Sequence, residues 1–106
     1  MKDKRYIFDL IKQSVLATDP NATVILYGSY ARGDYREDSD IDLLILLDSE
    51  RDNLSYNDKT KISHPIYDIG TETDSFISPK IYSKLGWAKH RVTPYFENVN
   101  REGIIL

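Results

Sequence analysis

Two aspartates two positions apart, Asp40 and Asp42, open the most apolar run of the chain, Ile41 to Leu47. In an extended strand, residues two apart project from one face, so these carboxylates lie side by side. Crowded at the mouth of a buried strand, they repel each other and lose solvation unless something positive sits between them. Mg²⁺ or Mn²⁺ answers that need with carboxylate and phosphate oxygens as ligands. Separated from Asp40 by ten residues, the pair Gly28-Ser29 closes a second apolar run. Glycine lets a backbone approach a ligand closely, and a helix starting there presents unpaired N–H groups to an anion. Ser29 adds a hydroxyl, and Arg32, three residues on, adds a forked charge-assisted contact from the same side. Alone, a Gly-Ser turn or an Asp-x-Asp is commonplace. Together, after one strand and opening the next, they are the parts needed to grip a triphosphate and displace its pyrophosphate in line.

The flanking segments predict the elements that would position these groups. Lys4 to Ala17 places Tyr6, Ile7, Leu10, Ile11 and Val15 as one apolar helix face, ended at Thr18-Asp19-Pro20-Asn21. Thr23 to Tyr27 reads as a buried strand, Tyr30 to Gly33 as one or two helical turns, and Asp34 to Ser39 as a polar loop. Ile41 to Leu47, charged at both ends, fits a strand buried on both faces. A loop over Arg51 to Asn57 precedes a helix from Asp58 to Ile69, interrupted by Pro65. Thr71 to Ile77 alternates as a strand that Ser78-Pro79 would end, Ile81 to Arg91 has no clear assignment, and Pro94 to Glu102 is a last helix closed by Gly103. The apolar tail Ile104 to Leu106 is not expected to float free. This order predicts an α/β or α+β fold, a small mixed sheet with helices mainly on one face.

Composition sets the outer bounds. The chain has 106 residues, enough for one domain spanning 1–106. It contains no cysteine, which removes disulfides and thiolate metal sites. The net charge is −3, from 17 acidic and 14 basic side chains, so nucleic acid is not expected as a general ligand. Neither a signal peptide nor a membrane-spanning run is visible, and a cytoplasmic location is the expectation. His64 and His90 are single and lack ligand spacing. Trp87, Tyr30 and Tyr35 read as packing residues, and Lys80 and Lys84 as solvated surface unless they line an acceptor site.

Gly28, Ser29, Arg32, Gly33, Ser39, Asp40, Ile41, Asp42 and the run Leu43 to Leu46 together resemble the minimal nucleotidyltransferase family of the DNA polymerase β superfamily. The resemblance implies a polymerase β-like fold and transfer of a nucleoside monophosphate, AMP from ATP, to a hydroxyl. It implies that Asp40 and Asp42 hold Mg²⁺ or Mn²⁺, and that Gly28 and Ser29, with Arg32 and Ser39, bind the nucleotide. A third carboxylate on a neighbouring strand completes such sites. Asp74 is the first candidate, as metal ligand or base, Glu72 on the same presumed strand face the second, and Asp68 the third. Family members of this size resemble one half of two-gene pairs whose other half is a HEPN-type helical toxin. That setting implies an antitoxin, acting by binding the partner or by adding AMP to one of its tyrosines. A homodimer is the other way to supply a missing substrate wall, and antibiotic nucleotidylation, found in longer relatives, is a further reading.

Overall fold

The computed structural model describes residues 4–106. Four strands form one mixed sheet: β1 (Thr23–Tyr27), β2 (Ile41–Leu47), β3 (Ile77–Ser83) and β4 (Ile104–Ile105), in the spatial order β3-β2-β1-β4. β1 runs antiparallel to both β2 and β4, whereas β2 and β3 are parallel. The central place of β2 explains its unbroken apolar run, since both of its faces are covered. Ile41, Leu43 and Ile45 are fully buried on one side, as is Leu44 on the other.

The main core lies between the sheet and two long helices, α1 (Arg5–Thr18) and α3 (Tyr56–Thr73). In α1 the spacing of four carries Ile7, Ile11 and Val15 into that core, whereas Tyr6 and Leu10 are exposed, so the apolar stripe is narrower than the sequence suggested. A smaller cluster covers part of the opposite face. There α4 (Lys84–Ala88) and α5 (Pro94–Glu102) set Trp87 and Val99 against Leu44 and Leu46. Trp87 stacks on Phe96 at 4.8 Å between ring centroids, which makes it a packing residue.

The sequence expectations fail mainly between residues 58 and 91. The helix α3 begins earlier and ends later than Asp58 to Ile69. Ser55 and Asp58 form a reciprocal capping box at its start, and Pro65 sits within it. The strand expected over Thr71 to Ile77 is absent. Thr71 to Thr73 form the last turn of α3, where the Thr71 and Thr73 hydroxyls donate to the Tyr67 and Ile69 carbonyls at 3.1 and 2.7 Å. Asp74 ends the helix in the left-handed region at φ 53. The strand β3 starts at Ile77 and runs through Ser78-Pro79, the pair expected to stop it. Proline is tolerated because β3 is an edge strand with one unpaired side. The unassigned stretch Ile81 to Arg91 divides into the end of β3 and α4, which Ser83 caps by accepting from the Gly86 N–H at 2.9 Å. The apolar tail becomes β4 on the free edge of β1, and the Leu106 N–H donates to the Val24 carbonyl at 2.9 Å.

Candidate active site

The antiparallel register places Tyr27, the last residue of β1, directly opposite Asp42. The chain then turns at Gly28, with φ 75, into the short helix α2 (Ser29–Arg32), which Gly33 ends at φ 87 in the left-handed region. A β-carbon on Gly28 would fall on the Asp42 carboxylate. Gly28 is therefore required twice, for its backbone angle and for the closeness of the turn to the aspartate. Two residues 14 apart in sequence become immediate neighbours because adjacent strands carry them to the same end of the sheet.

Asp40 precedes β2 and Asp42 lies within it, on the strand face that also bears Leu44 and Leu46. Ser78 of β3 stands opposite Asp42 in the parallel register, and its hydroxyl donates to Asp40 at 3.3 Å. The Asp42 carboxyl titrates above the ordinary aspartate range, first because it is partly desolvated and second because Asp40 is beside it. Arg32 and Lys80 pull it back down, while Glu102 adds to the repulsion. A half-buried carboxylate held among like charges is a site short of positive charge. Mg²⁺ is commonly held by one or two protein carboxylates plus substrate phosphates, and Asp40 with Asp42 fits that requirement. Among the described residues, no group of three histidine, cysteine, aspartate or glutamate side chains is gathered closely enough to hold a metal ion.

The other predicted residues are brought to the site unequally. Arg32 is close to it but engaged: Nη1 donates to Glu102 Oε2 at 3.1 Å and Oε1 at 3.3 Å, and Nε to Asp34 at 3.2 Å. Glu102 Oε1 also accepts from the Gly28 N–H at 3.2 Å. Ser39 shapes the loop before Asp40, its hydroxyl accepting from the Arg36 N–H at 2.7 Å. Asp74 shares with Asp40 a cleft of about 500 Å³ that also involves Tyr67, Gly70 and Phe76, where the end of α3 meets the start of β3. The neighbouring-strand position beside the aspartates carries Ser78 rather than an acid, and Asp74 lies in the connection before that strand. Glu72 and Asp68 are exposed residues of α3, outside that cleft, and Glu72 shares no strand face with Asp74.

Glu102 and Tyr27 were missed by sequence reasoning. Nothing local marks Glu102, because 70 residues separate it from Arg32 and only the packing of α5 unites them. Tyr27 was detectable, since a residue just before the glycine turn must stand near the aspartates if the two strands pair. Its phenol accepts from the Tyr95 hydroxyl at 3.0 Å, and burial raises both phenols above their ordinary range, so both stay protonated. Tyr30 stacks on Tyr35 at 4.3 Å, and Lys84 donates to the Asn21 carbonyl at 2.7 Å, which assigns these residues to packing and tethering.

A strand, a glycine turn and an aspartate pair at the start of the next strand, backed by two helices, make the arrangement expected of a polymerase β-like nucleotidyltransferase. The sequence pattern of the nucleotidyltransferase domain family matches residues 9–97, and the chain belongs to that family. Two archaeal proteins from Methanocaldococcus jannaschii, MJ0141 and MJ0604, provisionally named protein adenylyltransferases, are similar in sequence. MJ0141 is 40% identical over 83 residues, covering 74% of this chain and 81% of the relative. MJ0604 is 38% identical over 85 residues, covering 78% and 75%. The fold is shared with a crystal structure described as a toxin–antitoxin with AMP-PNP (TM-score 0.60, 19% identity, 98% of this chain and 72% of that one). It is shared as well with a mutant of the toxin–antitoxin MntA–HpeT (TM-score 0.58, 20% identity, 100% and 72%). The chain is a nucleotidyltransferase. Among the described residues no helix is long and apolar enough to cross a membrane.

Proposed function

We propose that this nucleotidyltransferase transfers AMP from ATP to a protein hydroxyl, with a tyrosine of a HEPN-type helical partner as the acceptor. The observation that carries the proposal is the meeting of Gly28 and Asp42, which puts a turn suited to phosphate against a partly desolvated carboxylate that has Asp40 beside it. The provisional names of the two archaeal relatives support AMP and a protein acceptor. The nucleotide and toxin–antitoxin descriptions of the structural neighbours support ATP and a partner.

In this reading Asp40 and Asp42 hold Mg²⁺ or Mn²⁺. When bound, the metal lowers the charge barrier to attack on the α-phosphate and to departure of pyrophosphate. Gly28 and Ser29 hold the triphosphate, and Arg32 faces the charge that accumulates on its leaving end. Ser78 orients the Asp40 carboxylate. Asp74, across the cleft from Asp40, is the base assigned to the incoming hydroxyl. The cleft is open to solvent, so the partner supplies the wall that this small chain lacks, and a second copy of the chain is the alternative source.

The test is to incubate the protein with ATP, Mg²⁺ and the product of a neighbouring gene, then weigh both proteins intact. Added AMP units on the partner, lost with Asp42→Asn, are the expected result. Full labelling by Asp42→Asn would overturn the assignment. A binding module that blocks its partner without chemistry is the second reading, favoured by the occupied state of Arg32. It predicts a stable complex and no added mass.

A further inference from the structure

Glu102 closes α5, and its side chain is only 19% exposed although it carries a charge. Its carboxylate takes one hydrogen bond from the Gly28 N–H and two contacts from the Arg32 guanidinium. A backbone N–H and a guanidinium are the donors that a phosphate oxygen would use at the same place. We infer that Glu102 is a built-in competing anion, which occupies the phosphate grip and must swing out before a nucleoside triphosphate can seat. This inference rests on the nucleotidyl-transfer reading of the site and adds a regulatory contact to it.

Two observations favour a competitor over a residue that merely positions Arg32. Asp34 already holds the guanidinium at Nε, so Arg32 keeps an orienting partner when Glu102 leaves. The bond from the Gly28 N–H serves no purpose in orienting Arg32, yet it sets the carboxylate against the turn itself. The displacement requires no refolding. α5 stays anchored by buried Val99, by the bond between Tyr95 and Tyr27, and by β4 paired to β1, so rotation of one side chain clears the grip.

The experiment is calorimetric titration of a non-hydrolysable ATP analogue with Mg²⁺ into the wild type, Glu102→Gln, Glu102→Asp and Asp42→Asn. Glu102→Gln keeps the shape and removes the competing charge, and it should bind about fivefold more tightly. Glu102→Asp keeps the charge and shortens the reach, and it should move affinity in the same direction. Circular dichroism melts check that both variants fold. Unchanged or weaker binding by both, with the wild type binding normally, overturns the competitor role and leaves the nucleotide site standing. Absence of binding in every form overturns the nucleotide reading and the competitor with it.

Discussion

At the residue scale, ionised Asp42 works against the stability of the fold. Its folded-state pKa is raised above 3.8, so the native state holds a proton more tightly than the unfolded chain. Its contribution to stability is fully present below the unfolded value and is lost as pH rises through the higher folded value. At neutral pH Asp42→Asn should therefore stabilise the metal-free protein by a few tenths to about 1 kcal/mol, discounted for solvent screening. Urea unfolding measures this, and a destabilised variant would contradict the desolvation and repulsion assigned to Asp42. The same variant should abolish transfer. Because protons compete with the cation, transfer should also decline on acidification from a pH above the ordinary aspartate range, as rate measurements across pH would show. Gly28→Ala should fail differently. It forces a side chain into φ 75 and onto Asp42, costing about 1–3 kcal/mol of stability and displacing the carboxylate. A Gly28→Ala protein with normal stability and transfer would show that the turn is less tight than described.

At the scale of elements, the site depends on how well each strand and helix end is pinned. α5 carries Glu102, and its start is capped by Thr93, whose hydroxyl accepts from the Phe96 N–H at 3.2 Å. Thr93→Ala should cost about 1 kcal/mol, read from thermal or urea unfolding, and Thr93→Ser should restore most of it. The site elements nearest the motif were legible in the sequence because local chemistry specifies them: β1 by its β-branched run, the turn by Gly28, and β2 by its length and apolarity. Thr71 to Asp74 were not, because alternating β-branched and polar residues suit a strand equally well. Helix was selected there by threonine hydroxyls bonding back to the preceding turn, by Gly70 packed at a point where a β-carbon would crowd the Ser75 carbonyl, and by Asp74 accepting a left-handed cap. Pro79 was misleading for a related reason, since its cost in a strand vanishes at an edge. The pairing of Arg32 with Glu102 was beyond any local pattern, because it depends on the docking of α5 against the sheet.

For the whole molecule, the arrangement implies strong coupling between ligand and fold. The sheet end that bears Asp40 and Asp42 sets a partly desolvated carboxylate beside a like charge, so cation and nucleotide binding there should relieve a strain of the native state. A ligand that binds only the folded form stabilises it by about 2.7 kcal/mol at one hundred times its Kd. For a domain near this size, each kcal/mol moves Tm by about 4–8 °C, so Mg²⁺ with a non-hydrolysable ATP analogue at that concentration should raise Tm by roughly 10–20 °C. Mg²⁺ alone should give a smaller rise, since it relieves the carboxylate repulsion without engaging Gly28 or Arg32. In Asp42→Asn the baseline Tm should be higher and the ligand-induced rise mostly gone. These two changes have opposite signs, and a general salt effect or nonspecific nucleotide binding would not produce them together. A scanning calorimetry series over both proteins, with metal and analogue added separately and together, provides the check. An equal ligand-induced rise in wild type and variant would mean that the nucleotide binds elsewhere on the molecule.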